Sequence, residues 1–354
     1  MSILDLSPDG SQPMHWEDKY VITFNGEIFN FLEIRTVLNG KGYIFRSQSD
    51  TEVILAAYDF WGKDCVKQFN GMWSFVLYDK AKNQLFCSRD RFGIKPFYIF
   101  EDESNVVFAS EIKQLLPFLK ERKANRQILL EYIITGAEEF SNETFFEGVN
   151  KLEQAHNLLY DLGKHEKSIS QYYDIDIDQA NANLNQQESV ERYQQQLTDA
   201  VNLRMRSDVE VGTCLSGGLD SSTITAIAAD ITGKVNNRSI NAIHAKATEK
   251  ALDESYYAKL VSSHTKASLN IVEPTFEDFK NIVDKVIEVQ EEPFGSPSIV
   301  LQYIVLQKAR EINCIVMLDG QGGDETLIGY SRYYPAYLLE QKGLLPKIKG
   351  FFNS

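Results

Sequence analysis

The sequence predicts an α/β protein, with an α+β amino-terminal half followed by a doubly wound parallel sheet. Three observations predict this. Up to about residue 115, short apolar runs are separated by turns. Beyond about residue 190, apolar runs alternate with helical patterns, which is typical of a parallel sheet with helices on both faces. Two Gly-rich turns each follow an apolar run and precede a helix. The length of 354 residues fits about two domains.

The amino-terminal half contains predicted strands and two helices. Tyr20–Asn30 reads as a strand that runs into a turn, and residues 31–42 have helical spacing with Gly40 near the end. Ser49–Asp50 caps the next helix. Two strand pairs follow, namely 72–79 with 83–90 and 96–102 with 105–111.

The composition changes at residues 174–189, which are rich in Asp, Asn, Gln and Ala and predict a linker. We therefore expect domains at 1–173 and 190–354. In the second domain, helices are predicted at 190–205, 254–264 and 298–311, and strands at 209–215, 239–245 and 314–319.

Charge and hydropathy exclude several partners. With 36 basic and 50 acidic residues the net charge is −14, which disfavours nucleic acid as a partner. No apolar run approaches the ~20 residues that a membrane helix needs. The first residues do not resemble a signal peptide, so a cytoplasmic location is expected. The four cysteines lack CxxC spacing, which favours reduced thiols.

The first Gly-rich turn, Ser216–Ser222, reads SGGLDSS between a strand and a helix. Gly217 and Gly218 allow the backbone to approach a ligand, and the helix start attracts anions. A carboxylate at Asp220 would repel phosphate unless a divalent cation bridged the two. The string resembles the pyrophosphate loop of enzymes that split ATP into AMP and pyrophosphate. The alternative is an ordinary helix-capping turn.

The second Gly-rich turn, Leu318–Glu325, also follows a strand. Ligands bind beyond the carboxyl ends of parallel strands, so both turns are expected to face one pocket. Asp324 and Glu325 are candidates for a metal or an ammonium group, with a solvated turn as the alternative. Asp253–Glu254 is a weaker candidate, because two acids that open a helix already complement its dipole.

In the amino-terminal half, Asn25 beside the Gly26 amide is a candidate oxyanion hole. Glu27 and Asp50 are candidates for binding the ammonium of an amino acid. Asn-Gly is also a common turn, which is the alternative. The basic and aromatic segment Arg89–Tyr98 could simply support the hairpin.

Six strings occur in one order: FNGEIFN, SDTEVIL, FNGMWSFVLYD, SRDRFGIKPFY, SDVEVGTCLSGGLDSS and LDGQGGDETLIGY. In these the chain resembles glutamine-hydrolysing asparagine synthetase along nearly its whole length. The resemblance implies an N-terminal-nucleophile glutaminase α/β sandwich followed by a pyrophosphate-loop ATP domain. It also implies that aspartate is adenylated by ATP with Mg²⁺, and that ammonia from glutamine displaces AMP to give asparagine and pyrophosphate.

The resemblance also implies roles for individual residues. Asn25 and Gly26 match the oxyanion hole, and together with Glu27 and Asp50 they match the glutamine-binding set. Asp220 matches the metal-binding position, and Asp324 matches a catalytic acid near the aspartate and pyrophosphate. Gln321 stands where many members carry an acid. The positions matching the ATP site are Cys214, Ser216, Gly217, Gly218, Asp220, Ser221, Ser222, Ala245, Asp319 and Gly320.

The chain departs from the family pattern at its ends. Family members begin with Met-Cys and use that Cys as nucleophile, whereas residue 2 is Ser2 and MSILDL matches an internal family segment. We therefore expect a chain truncated at both ends, acting on small molecules as a homodimer or with a complementary fragment. The alternatives are an inactive, nucleotide-binding remnant and another pyrophosphate-loop enzyme such as a tRNA thiolase, which the acidic balance disfavours.

Overall fold

The computed structural model describes residues 3–139, 141–176, 183–236 and 238–340. Ser2, part of the predicted linker (177–182) and the tail from residue 341 lie outside the described residues. The chain divides into two compact units. Unit 1 is Met1–Val209 with Phe276–Tyr303, and unit 2 is Glu210–Thr275 with Ile304–Ser354.

The strands, in chain order, are β1 (Met14–Trp16), β2 (Tyr20–Ile28), β3 (Gly71–Asp79), β4 (Gln84–Arg89), β5 (Tyr98–Glu101), β6 (Val106–Ala109), β7 (Val149–Lys151), β8 (His156–Asp161), β9 (Glu166–Gln171), β10 (Val211–Cys214), β11 (Asn241–Ala245), β12 (Ser268–Val272) and β13 (Val316–Leu318). The helices are α1 (Phe31–Asn39), α2 (Asp50–Trp61), α3 (Arg126–Thr135), α4 (Gln186–Arg204), α5 (Leu219–Asn236), α6 (Ser255–Thr265), α7 (Phe276–Gln290), α8 (Ser298–Glu311), α9 (Gly323–Leu327) and α10 (Tyr334–Glu340). Within the described ranges, none of these helices is both long enough and apolar enough to cross a membrane.

Unit 1 is built on two antiparallel sheets. The larger has the order β1-β2-β3-β4-β8-β9 and the smaller the order β6-β5-β7. Alternate side chains of the larger sheet are buried on opposite faces. Phe75 and Phe86 pack in the core that includes α1 and α2, while Cys87 packs with Phe97 and Ile99 of the smaller-sheet region. Burial on both faces explains why residues 72–79 form a nearly continuous apolar run.

Unit 2 is built on a parallel sheet with the order β12-β11-β10-β13. Thr225 of α5 donates to Thr213 of β10 at 3.0 Å on one face. Val305 and Ala309 of α8 pack with Ile243 on the other face. Helices therefore cover both faces, and the predicted fold class is confirmed, with antiparallel sheets first and a parallel sheet after them.

The chain order of the parallel sheet reverses beside β10. From β10 the chain passes to β11 and β12 on one side, and it returns to the other side as β13. The crevice beyond the carboxyl ends of β10 and β13 is therefore the topological switch point, where such sheets bind ligands. Both Gly-rich turns begin there.

Several elements differ from the prediction. Two elements of unit 1 and unit 2 are not among the predicted ones, namely α7 and β12, an edge strand interrupted by Asn270. Residues 186–189, at the end of the predicted linker, form the first turn of α4. Asn185 caps this turn reciprocally with Glu188, at 3.0 and 2.9 Å.

Candidate active sites

Asn25 and Gly26 lie inside β2, where they pair with Ser74 and Trp73 of β3. The turn alternative is therefore wrong for this Asn-Gly pair. A Cβ atom on Gly26 would stand 2.1 Å from the Met72 carbonyl oxygen, so no larger residue fits without moving the strands. Close approach of two strands, not a turn, accounts for this glycine.

The Asn25 amide lies beside a cleft. Its Nδ2 donates to Ser110 Oγ at 3.0 Å. Both residues line a cavity of about 300 Å³ together with Gln12, Phe97 and Phe108. The side-chain amide therefore lines a space that a small molecule can enter. Glu27 and Asp50 are not among the residues that line this cavity.

Glu27 and Asp50 form a buried pair of carboxylates, 4% and 5% exposed. Burial, together with the negative charge of Asp50, raises the pKa of Glu27 to about 7. Burial also raises the pKa of Asp50 to about 6, although this carboxylate accepts the Ile28 amide at 2.8 Å. Two carboxylates that are costly to ionise are suited to binding a cation, because a cation favours their charged forms.

Lys95 and Arg204 are the cations that lower the pKa of Glu27, acting against its burial. Lys95 belongs to a loop ordered by Asp90, whose carboxylate accepts the amides of Ile94 and Lys95 at 3.0 and 2.9 Å. Arg89 ties the same loop by donating to the Gly93, Lys95 and Leu152 carbonyls. The basic segment therefore has a defined conformation, and it places a lysine near the candidate amino-acid site.

Arg204 comes from the end of α4. Its guanidinium lies 4.4 Å from the centre of the Phe29 ring, and burial lowers its pKa. Neither Arg204 nor a role for Lys95 is among the residues predicted from the sequence. No motif marks Arg204, because its proximity to Glu27 arises only when α4 packs in unit 1.

In unit 2, the first Gly-rich turn is closed by its own hydroxyl groups. Ser221 Oγ accepts the Ser216 amide at 3.2 Å and lies 2.8 Å from Ser216 Oγ, which accepts the Gly218 amide at 3.1 Å. Gly217 has a φ of +104°, and a Cβ there would stand 2.8 Å from the Glu254 carbonyl oxygen. Helix α5 begins at Leu219, so the turn leads into a helix start that favours anions.

The second Gly-rich turn packs on the first. A Cβ on Gly320 would stand 2.8 Å from the Ser221 nitrogen, and one on Gly323 would stand 2.5 Å from the Asp220 Cγ. Asp319 accepts the Gly320 amide at 2.6 Å. The structure therefore brings Ser216–Ser222 and Asp319–Gly323 together.

Cys214, Ala245 and Asp324 are the remaining residues that were predicted to belong to the site in unit 2. Cys214 and Ala245 end β10 and β11 and pack partly buried beside the α8 cluster, and burial raises the pKa of Cys214 to about 12. Asp324 lies in α9, where a Cβ on Gly329 would stand only 1.9 Å from its Oδ1. Cys214 is therefore a packing or contact residue, since its thiol stays protonated.

The described residues fit a magnesium ion only if water and substrate phosphates supply most of its ligands. Among the residues that the structure describes, no group of three or more His, Cys, Asp or Glu side chains is arranged to hold a metal. Mg²⁺ usually takes one or two carboxylates and completes its shell with water and substrate phosphates. Asp220, beside the first Gly-rich turn and in the first turn of α5, is suited to this arrangement.

Two family models match the chain. A glutamine amidotransferase domain matches residues 1–173, and an asparagine synthase domain matches residues 192–350. ATP and glutamine are the small molecules associated with these domains. Together they define the chain as a glutamine amidotransferase domain followed by an asparagine synthase domain.

Curated proteins of similar sequence show the family to which the chain belongs. Putative asparagine synthetase (glutamine-hydrolyzing) 2 of Methanocaldococcus jannaschii is 37% identical, and the match covers 98% of this chain and 69% of that protein. Asparagine synthetase (glutamine-hydrolyzing) 1 of Bacillus subtilis is 30% identical, with 94% and 51% covered. A putative asparagine synthetase of Mycobacterium tuberculosis is 31% identical, with 98% and 54% covered. The chain belongs to the glutamine-hydrolysing asparagine synthetase family, whose members are ligases.

The chain spans 69% of the first of these relatives and about half of the other two. Likeness to solved structures is weak. Glutamine phosphoribosylpyrophosphate amidotransferase from B. subtilis, complexed with ADP and GMP, has a TM-score of 0.34 at 12% identity, covering 75% of this chain and 64% of that one. NH3-dependent NAD synthetase from Campylobacter jejuni has a TM-score of 0.28 at 16% identity, covering 40% and 60%. Family membership confirms the resemblance carried by the six strings and excludes a tRNA thiolase.

Proposed function

We propose that the chain makes asparagine from aspartate through a β-aspartyl-AMP intermediate, with ammonia taken from glutamine and with AMP and pyrophosphate released. The observation that carries this proposal is the packing of the two Gly-rich turns at the switch point of the parallel sheet. Gly320 and Gly323 lie against Ser221 and Asp220, so a turn suited to anions and a second turn that carries acids meet at the edge of the sheet where such folds bind ligands.

In this proposal the turn Ser216–Ser222 binds the β- and γ-phosphates of ATP. Its amides, its hydroxyl groups and the start of α5 face the negative charge that grows as pyrophosphate leaves. Mg²⁺ supplies charge neutralisation there, and Asp220 is the residue that would hold it. Cys214, Ala245, Asp319 and Gly320 border the nucleoside, and Asp324 orients aspartate.

In unit 1, the same proposal assigns glutamine to the β2 region. The Asn25 side-chain amide and the Gly26 N–H bind the carboxamide oxygen of glutamine, where they would stabilise the oxyanion formed when a nucleophile attacks the carboxamide carbon. Glu27 and Asp50 bind the α-ammonium, whose positive charge offsets the cost of ionising two buried carboxylates. Lys95 and Arg204 partly offset the burial that raises the pKa of Glu27.

An exchange of labelled pyrophosphate into ATP tests the proposal. Adenylation of aspartate is reversible before ammonia attacks, so we expect exchange with the 354-residue chain that requires aspartate and Mg²⁺. Glutamate, one methylene longer, is the matched control substrate and should support little exchange. A chain that binds ATP without aspartate-dependent exchange would instead be a nucleotide-binding remnant, and the proposal would be wrong.

A further inference from the structure

A buried histidine lies directly behind the first Gly-rich turn. His244 is in β11 and is only 2% exposed. Its Nδ1 lies 2.9 Å from the Leu215 carbonyl oxygen, and its Nε2 lies 2.9 Å from Ser255 Oγ at the start of α6. The Ser255 hydroxyl is also hydrogen-bonded to the Asp253 carboxylate, which accepts the Ser255 amide at 2.9 Å. His244, Ser255 and Asp253 thus form a chain of hydrogen bonds that ends at Leu215.

The chemistry of these groups fixes where the protons are. The Leu215 carbonyl can only accept, so Nδ1 of His244 must carry a hydrogen. Ser255 has one hydroxyl hydrogen, and the Asp253 carboxylate can only accept it. Nε2 must therefore donate to Ser255 Oγ, and both ring nitrogens of His244 carry hydrogens. An imidazole with two hydrogens is a cation.

We propose that His244 is held as a buried imidazolium and is a positioning residue of the pyrophosphate turn. The inference rests on the proposed function only where it assigns phosphate to that turn. The protonation state of His244 and its hydrogen bond to the Leu215 carbonyl do not depend on any ligand.

His244 acts through one peptide group. The Leu215 carbonyl that accepts its Nδ1–H belongs to the same peptide unit as the Ser216 amide. That amide donates to Ser221 Oγ at 3.2 Å, and Ser221 Oγ lies 2.8 Å from Ser216 Oγ. A charge-assisted bond at the carbonyl polarises the peptide and strengthens the bonds that follow it. The imidazolium therefore orders the hydroxyl groups of the turn.

The start of α6 supports the turn at a second point. Gly217 packs so closely on Glu254 that a Cβ would stand 2.8 Å from the Glu254 carbonyl oxygen. Glu254 lies between Asp253 and Ser255 in sequence. The start of α6 thus holds the turn both by direct packing at Gly217 and through His244 at Leu215. The acids Asp253 and Glu254, which precede this helix, therefore interact with Ser255 and Gly217 as well as with the helix dipole.

The charged groups near His244 lie on β11 and at the start of α6. Hydrogen bonds from Ser255 lower the pKa of Asp253, and the charges of Lys246 and His244 add to this effect. Lys246, two residues along β11, is paired with Glu273 at 2.9 Å, so its charge is largely balanced. Glu254 adds a negative charge at the start of α6. Cys214 in neighbouring β10 stays neutral, because burial raises the pKa of its thiol.

The ring nitrogens report the proposed state directly. We expect NMR of ¹⁵N-histidine-labelled protein at neutral pH to show both His244 nitrogens protonated, with proton signals on each. Asp253→Asn removes the charge that faces the ring, so it should shift His244 towards a neutral tautomer while thermal unfolding stays cooperative. A neutral His244 in the unmodified protein at pH 7 would overturn the inference.

Binding measurements test the positioning role. His264→Gln, at an exposed site on α6, is the matched control. With inorganic pyrophosphate and ATP as probes, His244→Gln and Asp253→Asn should weaken binding about tenfold, and the control should not. The Ser216 and Gly217 amide resonances should also move in both variants without any ligand. Unmoved resonances with unchanged affinity would overturn the positioning role. If the amide resonances of the turn shift as predicted but the protein binds neither pyrophosphate nor ATP, the proposed function is wrong and the positioning role of His244 stands.

Discussion

Gly323 packs on the carboxylate of Asp220, so closely that a Cβ on Gly323 would stand 2.5 Å from the Asp220 Cγ. Gly323 begins α9 and Asp220 lies in the first turn of α5, and the two helices follow the neighbouring strands β13 and β10. The contact joins the two Gly-rich turns and places the Asp220 carboxylate between them. The position of this carboxylate therefore depends on the absence of a side chain at Gly323.

Replacing Gly323 tests this contact. Gly323 does not have a positive φ, so Gly323→Ala adds only the Cβ. We expect Mg²⁺-ATP binding to weaken by about tenfold, or ~1.4 kcal/mol, because Asp220 must move. Gly233→Ala in α5, where a Cβ meets nothing within 4 Å, is the control and should bind ATP normally. Isothermal titration calorimetry measures both, and equal affinities for the two variants would contradict the account.

Asp220→Ala should weaken ATP binding only when Mg²⁺ is present. The carboxylate attracts the phosphates through the ion and repels them without it. Titrations of ATP with Mg²⁺ and with a chelator therefore separate the two contributions. Equal weakening in the chelator would show that Asp220 acts without a metal.

Stability should fall as the pH rises through the range in which Glu27 ionises. The folded protein has a Glu27 pKa of about 7, above the ordinary 4.5, because burial and Asp50 disfavour its charge. The unfolded chain therefore loses this proton first, and the stabilisation from a neutral Glu27 is present at low pH and lost towards pH 7. Relative to Glu27→Gln, the unmodified protein should lose about 2–3 kcal/mol of unfolding free energy between about pH 4.5 and pH 8.

Urea unfolding at several pH values measures this difference. Exposed Glu103→Gln is the control and should follow the unmodified protein. A Glu27→Gln variant with the same pH dependence as the unmodified protein would show that Glu27 ionises as an ordinary carboxyl group.

Glu27→Gln and Asp50→Asn should each weaken binding of glutamine by about tenfold, because each removes a partner of the ammonium group. Binding of 4-carbamoylbutanoate, which is glutamine without its amino group, should not weaken. Titrations with both compounds distinguish recognition of the ammonium from general damage to the pocket. Equal losses for the two compounds would contradict the assignment.

The parts of the fold that depend on local pattern could be predicted from the sequence. Ser216–Ser222 was recognisable because a strand, a glycine turn and a helix follow one another directly. Its closeness to Asp319–Gly323 followed from the rule that parallel strands share a carboxyl edge. Asn25–Gly26 was harder, because the pair is typical of a turn, and only its pairing with β3 shows why glycine is needed.

Contacts between distant segments could not be predicted. Arg204 influences Glu27 only because α4 packs in unit 1, and a lone His244 in an apolar strand does not reveal Asp253 as its partner. α7 did carry a signal, since Phe276, Phe279, Val283 and Val286 have helical spacing. The edge strand β12 did not, because its side chains are only half buried and Asn270 interrupts the apolar pattern.

The central claim, that the carboxyl group of aspartate is adenylated at the turn Ser216–Ser222, is tested most directly by isotope transfer. Aspartate labelled with ¹⁸O in its β-carboxylate is incubated with the chain, Mg²⁺-ATP and ammonium, and the nucleotide product is examined by mass spectrometry. Attack of ammonia on β-aspartyl-AMP leaves one carboxylate oxygen on the phosphate, so the account predicts AMP that carries one ¹⁸O atom. Unlabelled AMP, or ADP in place of AMP, would contradict it.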